Sequence, residues 1–206
     1  MLYRIFLALI LLCCGYLIYD SAKTAMALSY AQTAEENFII APEGTDDADV
    51  TVVVYIDYSC AACRNLNPLL TKAIEDDGNV RFIPRPIPSK GLDDPSVNAA
   101  RLVYASAKQG KFKEAHQAMI TDYRVIDQNF ISNFALEHEM DSVKLEQDMQ
   151  NPEIDEKLEK NLQNLASLRV RVLPTMLVDG KLLVHINGPL PSSQLIGNLF
   201  DTARTL

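Results

Sequence analysis

Residues 50–56, Val-Thr-Val-Val-Val-Tyr-Ile, are β-branched, nearly all apolar and uncharged. Such a run reads as a strand buried on both faces, the central position of a mixed α/β sheet. A Cys-Ala-Ala-Cys tetrad, Cys60 to Cys63, begins four residues further on. Ser59 is expected to cap a helix that starts at Cys60 and runs to about Asp76. Leu66, Leu69, Leu70, Ala73 and Ile74 share one face of it. Pro68 inside this helix predicts a kink, and Gly78 ends it.

Residues 80–87 (VRFIPRPI) read as the next strand, and their two prolines suggest that it frays or ends a sheet region. From 91 to about 169 the pattern is helical throughout. Segments 95–108, 111–120, 127–140 and 141–149 precede a helix from Pro152 with Ile154, Leu158, Leu162, Leu165 and Leu168 on one stripe. Strands then return at 175–178 and 181–186 around Asp179-Gly180, a hairpin signal, and 191–203 form a closing helix. Before the central strand, 28–37 read as a polar, helix-capable spacer, 38–40 as a short strand and 42–49 as a turn-rich acidic loop. The order predicts an α/β fold, a small sheet with an α-helical insertion at about 91–169.

The N-terminus carries Arg4 ahead of an apolar stretch at residues 5–19, the layout of a secretory signal. Ala25-Met26-Ala27 supplies a small-x-small cleavage site. Fifteen helical residues reach only about 22 Å, against a hydrocarbon core of ~30 Å. With Met1 to Arg4 included and Arg4 snorkelling, the gap nearly closes. Residues 1–27 are therefore a cleaved signal peptide or a membrane anchor, and 28–206 the exported domain. Cys13 and Cys14, inside the apolar run, are read as small apolar helix residues. The 206-residue chain has a net charge of -8, which disfavours nucleic-acid binding. Its four cysteines are too few for a disulfide-dense miniprotein.

The chemistry concentrates on Cys60 and Cys63. A thiol at a helix N-terminus meets unpaired N–H groups and the positive end of the dipole, which favour the thiolate. Cys60 is thus the attacking thiol, and Cys63, almost one turn on, the more buried resolving thiol. A bridge closing so small a loop is an inefficient structural staple, so a redox role is favoured. Structural zinc needs further ligands, and His116, His138 and His185 lack ligand spacing. Two soft thiolates could also hold Cu(I), the alternative reading. Asp57, three residues before Cys60, is a candidate for proton transfer with Cys63, or a solvated strand end. Tyr58 is read as packing, His116 as a packed or partly exposed helix residue, and Met119, Met140 and Met149 as core fillers. Leu173-Pro174-Thr175 opens the later strand, where a proline can be cis.

Together these segments resemble the DsbA-like branch of the thioredoxin superfamily, the periplasmic thiol–disulfide oxidoreductases. The likeness rests on ADVTVVVYIDYSCAACRNLNPLL with Asp57, Tyr58, Cys60, Cys63, Arg64 and Pro68, and extends over about 45–203. It implies a thioredoxin fold with a helical insertion and catalytic Cys60 and Cys63. It also implies a cis Pro174 packed against the dithiol, with the Leu173 backbone pairing with an extended substrate. The implied partners are cysteine-containing proteins and a membrane redox partner, with no cofactor, and the expected state is a monomer. The implied location is the bacterial periplasm, soluble after cleavage or tethered by residues 5–19. Three features depart from relatives. Ala61-Ala62 stands where Pro-His or Pro-Tyr is common, so Cys60 is expected to be less acidic and the pair less oxidising. Leu173 stands where Thr or Val is usual, so its bulk narrows access to Cys60. No dimerisation domain is expected ahead of the catalytic fold, so an isomerase role is less expected. The choice between oxidase and reductase stays open.

Overall fold

The computed structural model describes residues 2–40, 48–122 and 124–206. Its first element, α1 (Leu2–Gln32), is one unbroken helix. Residues 5–19 of α1 are exposed apart from Ala8, whose side chain is undescribed, whereas Ala27 and Ala31 are buried against the domain. The polar spacer expected at 28–37 is thus the docked end of α1 followed by a 3-10 turn, Glu36–Phe38. The strand expected at 38–40 reduces to one antiparallel bridge between Ile40 and Phe82. Most of the acidic loop expected at 42–49 (residues 41–47) lies outside the described residues.

The valine-rich run forms β1 (Val50–Ile56), and all seven residues are buried. Helix α2 (Ala61–Asp77) follows, its Cap residue being Cys60 rather than Ser59. The shift has a local cause: the Ser59 hydroxyl and N–H both donate to Asp57 Oδ1 at 2.7 Å, so that oxygen is turned back into the loop. Gly78 adopts φ 77° and ends α2, a left-handed conformation that glycine enters without a Cβ clash. Strand β2 (Val80–Pro86) runs parallel to β1.

Phe82 turns both its N–H and its carbonyl to Ile40, away from β1. Pro84 and Pro86 share that parity, so their missing donors fall on the side of β2 that faces away from β1. The prolines are therefore accommodated along the strand, which sits at the border of the sheet.

The insertion is five helices: α3 (Val97–Ala107), α4 (Phe112–Thr121), α5 (Gln128–Glu137), α6 (Ser142–Met149) and α7 (Pro152–Ser167). Asp127, Asp141 and Asn151 cap the last three through their side chains. Strands β3 (Thr175–Val178) and β4 (Leu182–His185) form the expected hairpin, with Asp179 and Gly180 at φ 51° and 66°. Helix α8 (Ser193–Thr205) closes the described chain.

The sheet order is β2-β1-β3-β4, with β3 antiparallel to both neighbours. Alternation along β1 splits the core. Val50, Val52 and Val54 face α2 and α8 through Leu66, Leu70, Ile196 and Phe200. Val53 and Tyr55 face the docked end of α1 and the end of α7 through Ala27, Ala31 and Leu165. Near the end of α8, Arg204 pairs with Asp49 and Asp77 at 2.9 and 2.8 Å, tying the start of β1 to the end of α2. Those ion pairs hold both carboxyls below the usual carboxylate range.

Candidate active site

The chain leaves β1 and turns through Asp57, Tyr58 and Ser59 before α2 begins. The Cys60 N–H donates to the Asp57 carbonyl at 3.0 Å, which closes this turn and places Cys60 at the helix start. Cys60 is half-buried, while Cys63 is 1% exposed. The two thiols are free and within hydrogen-bonding reach of each other. Burial pushes the Cys63 thiol far up, against a main-chain hydrogen bond from Asp57 that acts in the opposite sense. One accessible sulfur and one inaccessible, protonated sulfur are the asymmetry that thiol exchange needs.

Asp57 is 3% exposed, not a solvated strand end. Besides the two Ser59 donors, its other oxygen accepts from the Ser89 hydroxyl. A buried carboxylate costs little when its lone pairs are filled in this way.

Tyr58 packs as expected, but its hydroxyl also contacts His116 Nδ1 at 2.9 Å. His116 is fully buried, and its Nε2 lies 3.1 Å from Asn67 Oδ1. Burial lowers the imidazole pKa to about 4, so the ring is neutral near pH 7. Nε2–H then donates to Asn67 Oδ1, and Nδ1 accepts from Tyr58. The chain of bonds joins the dithiol turn, α4 and α2. Sequence reading treated Tyr58 and His116 separately, because contacts 58 residues apart leave no local pattern.

Arg64, next to Cys63, is also buried. Its guanidinium donates to the Met119 and Ile120 carbonyls at 3.1 Å, and to that of Asp122. A cation thus caps the C-terminal end of α4, where carbonyls lack helical partners. The dithiol helix is thereby fastened to the insertion.

Across the site, the Leu173–Pro174 peptide is cis. Leu173 and Cys60 both border the apolar cluster that contains Cys63, Ile56 and Tyr58. Thr175 is fixed below them by bonds to the Val172 carbonyl and His185 Nδ1. His138 follows α5 on the helical insertion, and His185 is on β4 opposite Thr175. Among the described residues no cluster of three His, Cys, Asp or Glu side chains is arranged to hold a metal ion.

Known proteins share this architecture. A family model described as Thioredoxin matches residues 40–195. The chain is 25% identical over 181 residues to a Na(+)/H(+) antiporter NhaA of Herminiimonas arsenicoxydans, covering 82% of this chain and 28% of that one. It spans between 12% and 28% of the length of the antiporters it matches. A probable disulfide bond formation protein D of Bacillus anthracis is 28% identical over 150 residues, 68% of this chain and 69% of its own. Among solved structures, a thioredoxin-like oxidoreductase from Silicibacter pomeroyi DSS-3 superposes with a TM-score of 0.70 at 26% identity, covering 84% of this chain and 95% of that one. The chain belongs to the thioredoxin family, and its helical insertion gives it the DsbA-like form of that fold.

Proposed function

We propose that the chain is a thiol–disulfide oxidoreductase acting on cysteine-containing proteins. The observation that carries the reading is the pairing of a half-buried Cys60 with a buried Cys63 at the start of α2. In the oxidised enzyme a substrate thiolate attacks Cys60, the Cys60–Cys63 bond breaks, and Cys63 leaves as a thiolate that takes up a proton. The substrate's second thiol then attacks the mixed disulfide and releases Cys60, so one substrate disulfide forms as the enzyme is reduced by two electrons. The reverse sequence reduces a substrate disulfide. The Leu173 backbone, beside cis Pro174, is the edge on which an extended substrate segment pairs. Asp57, linked to Ser89, is the group through which the Cys63 proton is exchanged.

The small, uncharged Ala61-Ala62 pair leaves Cys60 without a neighbouring side-chain donor from that dipeptide. Equilibration against glutathione measures the outcome. A potential near about −120 mV marks a disulfide donor, and one near about −270 mV a reductase. If Cys60 and Cys63 form no reversible disulfide, the enzyme reading fails. Thiol titration with and without copper then tests the Cu(I) alternative.

Residues 5–19 are read as a retained anchor that leaves the domain on the periplasmic side. Four contacts support this. Asn164 Nδ2 donates to the Ala27 carbonyl at 2.8 Å, and Tyr30 Oη to Asn161 at 3.1 Å. Arg85 donates to the carbonyls of Tyr30, Ala31 and Thr33 at the end of α1. Arg169 holds Asp20 through both carboxylate oxygens. The small-x-small site at 25–27 is helical, with Ala27 buried against the domain and Ala25 and Met26 exposed, whereas a protease needs an extended segment. Alkaline extraction of membranes tests the anchor: a chain of full mass in the pellet supports it, and a soluble chain starting at residue 28 overturns it.

A further inference from the structure

We propose that the dithiol end of the domain faces the bilayer, so that Cys60 meets partners whose cysteines lie at the membrane surface. The inference rests on the reading of residues 5–19 as a retained anchor.

The direction of α1 across the sheet is the first support. Asn164 bridges the Ala27 carbonyl and the Tyr55 hydroxyl, which places Ala27 near the end of β1. Five residues later the Gln32 side chain lies against Gly180, where it would collide with any added Cβ. Gly180 belongs to the hairpin turn whose Asp179 N–H donates to the Thr51 carbonyl, near the start of β1. Helix α1 therefore runs antiparallel to β1. Followed backwards from Ala27, it passes beyond the end of β1 from which Asp57 and Cys60 emerge. Asp20 lies seven residues earlier, about 10 Å along the helix.

The second support is independent of that path. Asp20 directly follows the apolar run and is bonded to Arg169 at 2.6 and 2.7 Å. Leu173, on the rim of the dithiol, is only four residues beyond Arg169, a span of at most ~14 Å. The substrate-pairing edge is thus tethered close to the point where the anchor leaves the membrane.

The opposite end of the domain is equally defined. Helix α2 is 17 residues long, about 25 Å, and carries the dithiol at its start. Its last residue, Asp77, shares Arg204 with Asp49 at the start of β1. Charge agrees with the orientation. The chain is acidic overall, yet exposed Lys23, nearly one turn beyond Asp20 on α1, and Arg169, bonded to Asp20, put basic side chains at the end of the anchor, where they favour anionic headgroups. The partner chemistry that fits is a bilayer-embedded protein carrying a cysteine pair in a segment at its surface.

Fluorescence transfer to headgroup-labelled lipid tests this. The full chain, with Cys13→Ser, Cys14→Ser and Cys63→Ser, is reconstituted in vesicles of phosphatidylcholine and phosphatidylglycerol with a donor on Cys60. A second variant carries Cys60→Ser and Asp76→Cys, with the donor at position 76. Both are washed at alkaline pH and the bound fraction recorded. The expected result is retention of both and a shorter donor lifetime at position 60 than at 76. Retention with equal lifetimes, or a shorter one at 76, overturns the orientation while leaving the anchor intact. Loss of both chains in the wash overturns the anchor and the proposal with it.

Discussion

Tyr58 Oη and His116 Nδ1 lie 2.9 Å apart inside the junction between the dithiol turn and the helical insertion. The bond has no access to water, since both residues are buried. Tyr58→Phe keeps the ring and leaves the imidazole nitrogen without its donor. The expected cost is about 1–3 kcal/mol of stability. Chemical denaturation measures it, and a variant as stable as the parent would show that the bond contributes nothing net.

The same histidine sets a pH dependence. Its folded pKa is lowered to about 4 by burial, whereas an unfolded histidine titrates near ~6.5. Between those values the unfolded chain binds the proton and the folded chain does not. Stability is therefore complete above about pH 6.5 and declines as pH falls toward 4. The full shift corresponds to roughly 3 kcal/mol. His116→Gln should flatten this part of the stability profile; an unchanged slope in the variant would assign it to other groups.

Alkylation should distinguish the two thiols. With the dithiol reduced near neutral pH, iodoacetamide is expected to modify Cys60 and to leave Cys63 protected until the protein is unfolded, because burial raises the Cys63 pKa. Peptide mass spectrometry reads the order directly. Modification of Cys63 at the rate of Cys60 would contradict the assigned roles.

Arg64 makes a further prediction. Its fork reaches carbonyls at the end of α4 from the helix that carries the dithiol. Arg64→Ala removes charged hydrogen bonds worth about 1.5–3 kcal/mol each in comparable settings, and Arg64→Lys cannot reproduce the fork. Both variants should lower the melting temperature, and hydrogen exchange should rise at the end of α4 before it rises in β1. Uniform loss of protection throughout the domain would argue against this local clamp.

Truncation separates the two halves of α1. Removing residues 1–19 takes away the exposed apolar run and leaves Asp20, Ala27, Tyr30 and Ala31 in place. Removing residues 1–32 leaves the buried Arg85 without two of its three carbonyl acceptors. The shorter truncation is expected to melt close to the full chain, and the longer one well below it. Equal melting temperatures would mean that the docked segment adds nothing to the fold.

The legible parts of this protein were those with a local signature. The β1 run, the Asp179-Gly180 turn and the helices of the insertion depend on neighbouring residues, and the structure reproduces them within a few positions, although Leu162 of the α7 stripe is exposed. The placement of Cys60 and Cys63 at the start of α2 was legible because three-residue spacing at a helix start is itself local. Docking of α1 was not: Ala27 and Ala31 are apolar enough for either membrane or core, and only Arg85, Asn161, Asn164 and Arg169, distant in sequence, decide it. The Ser59 cap failed for a similar reason, since the buried Asp57 claimed its hydroxyl.

The prolines of β2 bear on how the proposed enzyme would meet unfolded clients. A protein that grips extended chains by strand pairing risks being overgrown by them wherever a free backbone row offers donors. Along the outer side of β2, Phe82 is already taken by Ile40 and the next two outward positions are Pro84 and Pro86. That row has no N–H left to give at these positions. If the chain pairs with extended clients as proposed, one that meets this flank finds no donor at these positions, and pairing is left to the proposed edge beside Leu173, where a sulfur can finish the encounter.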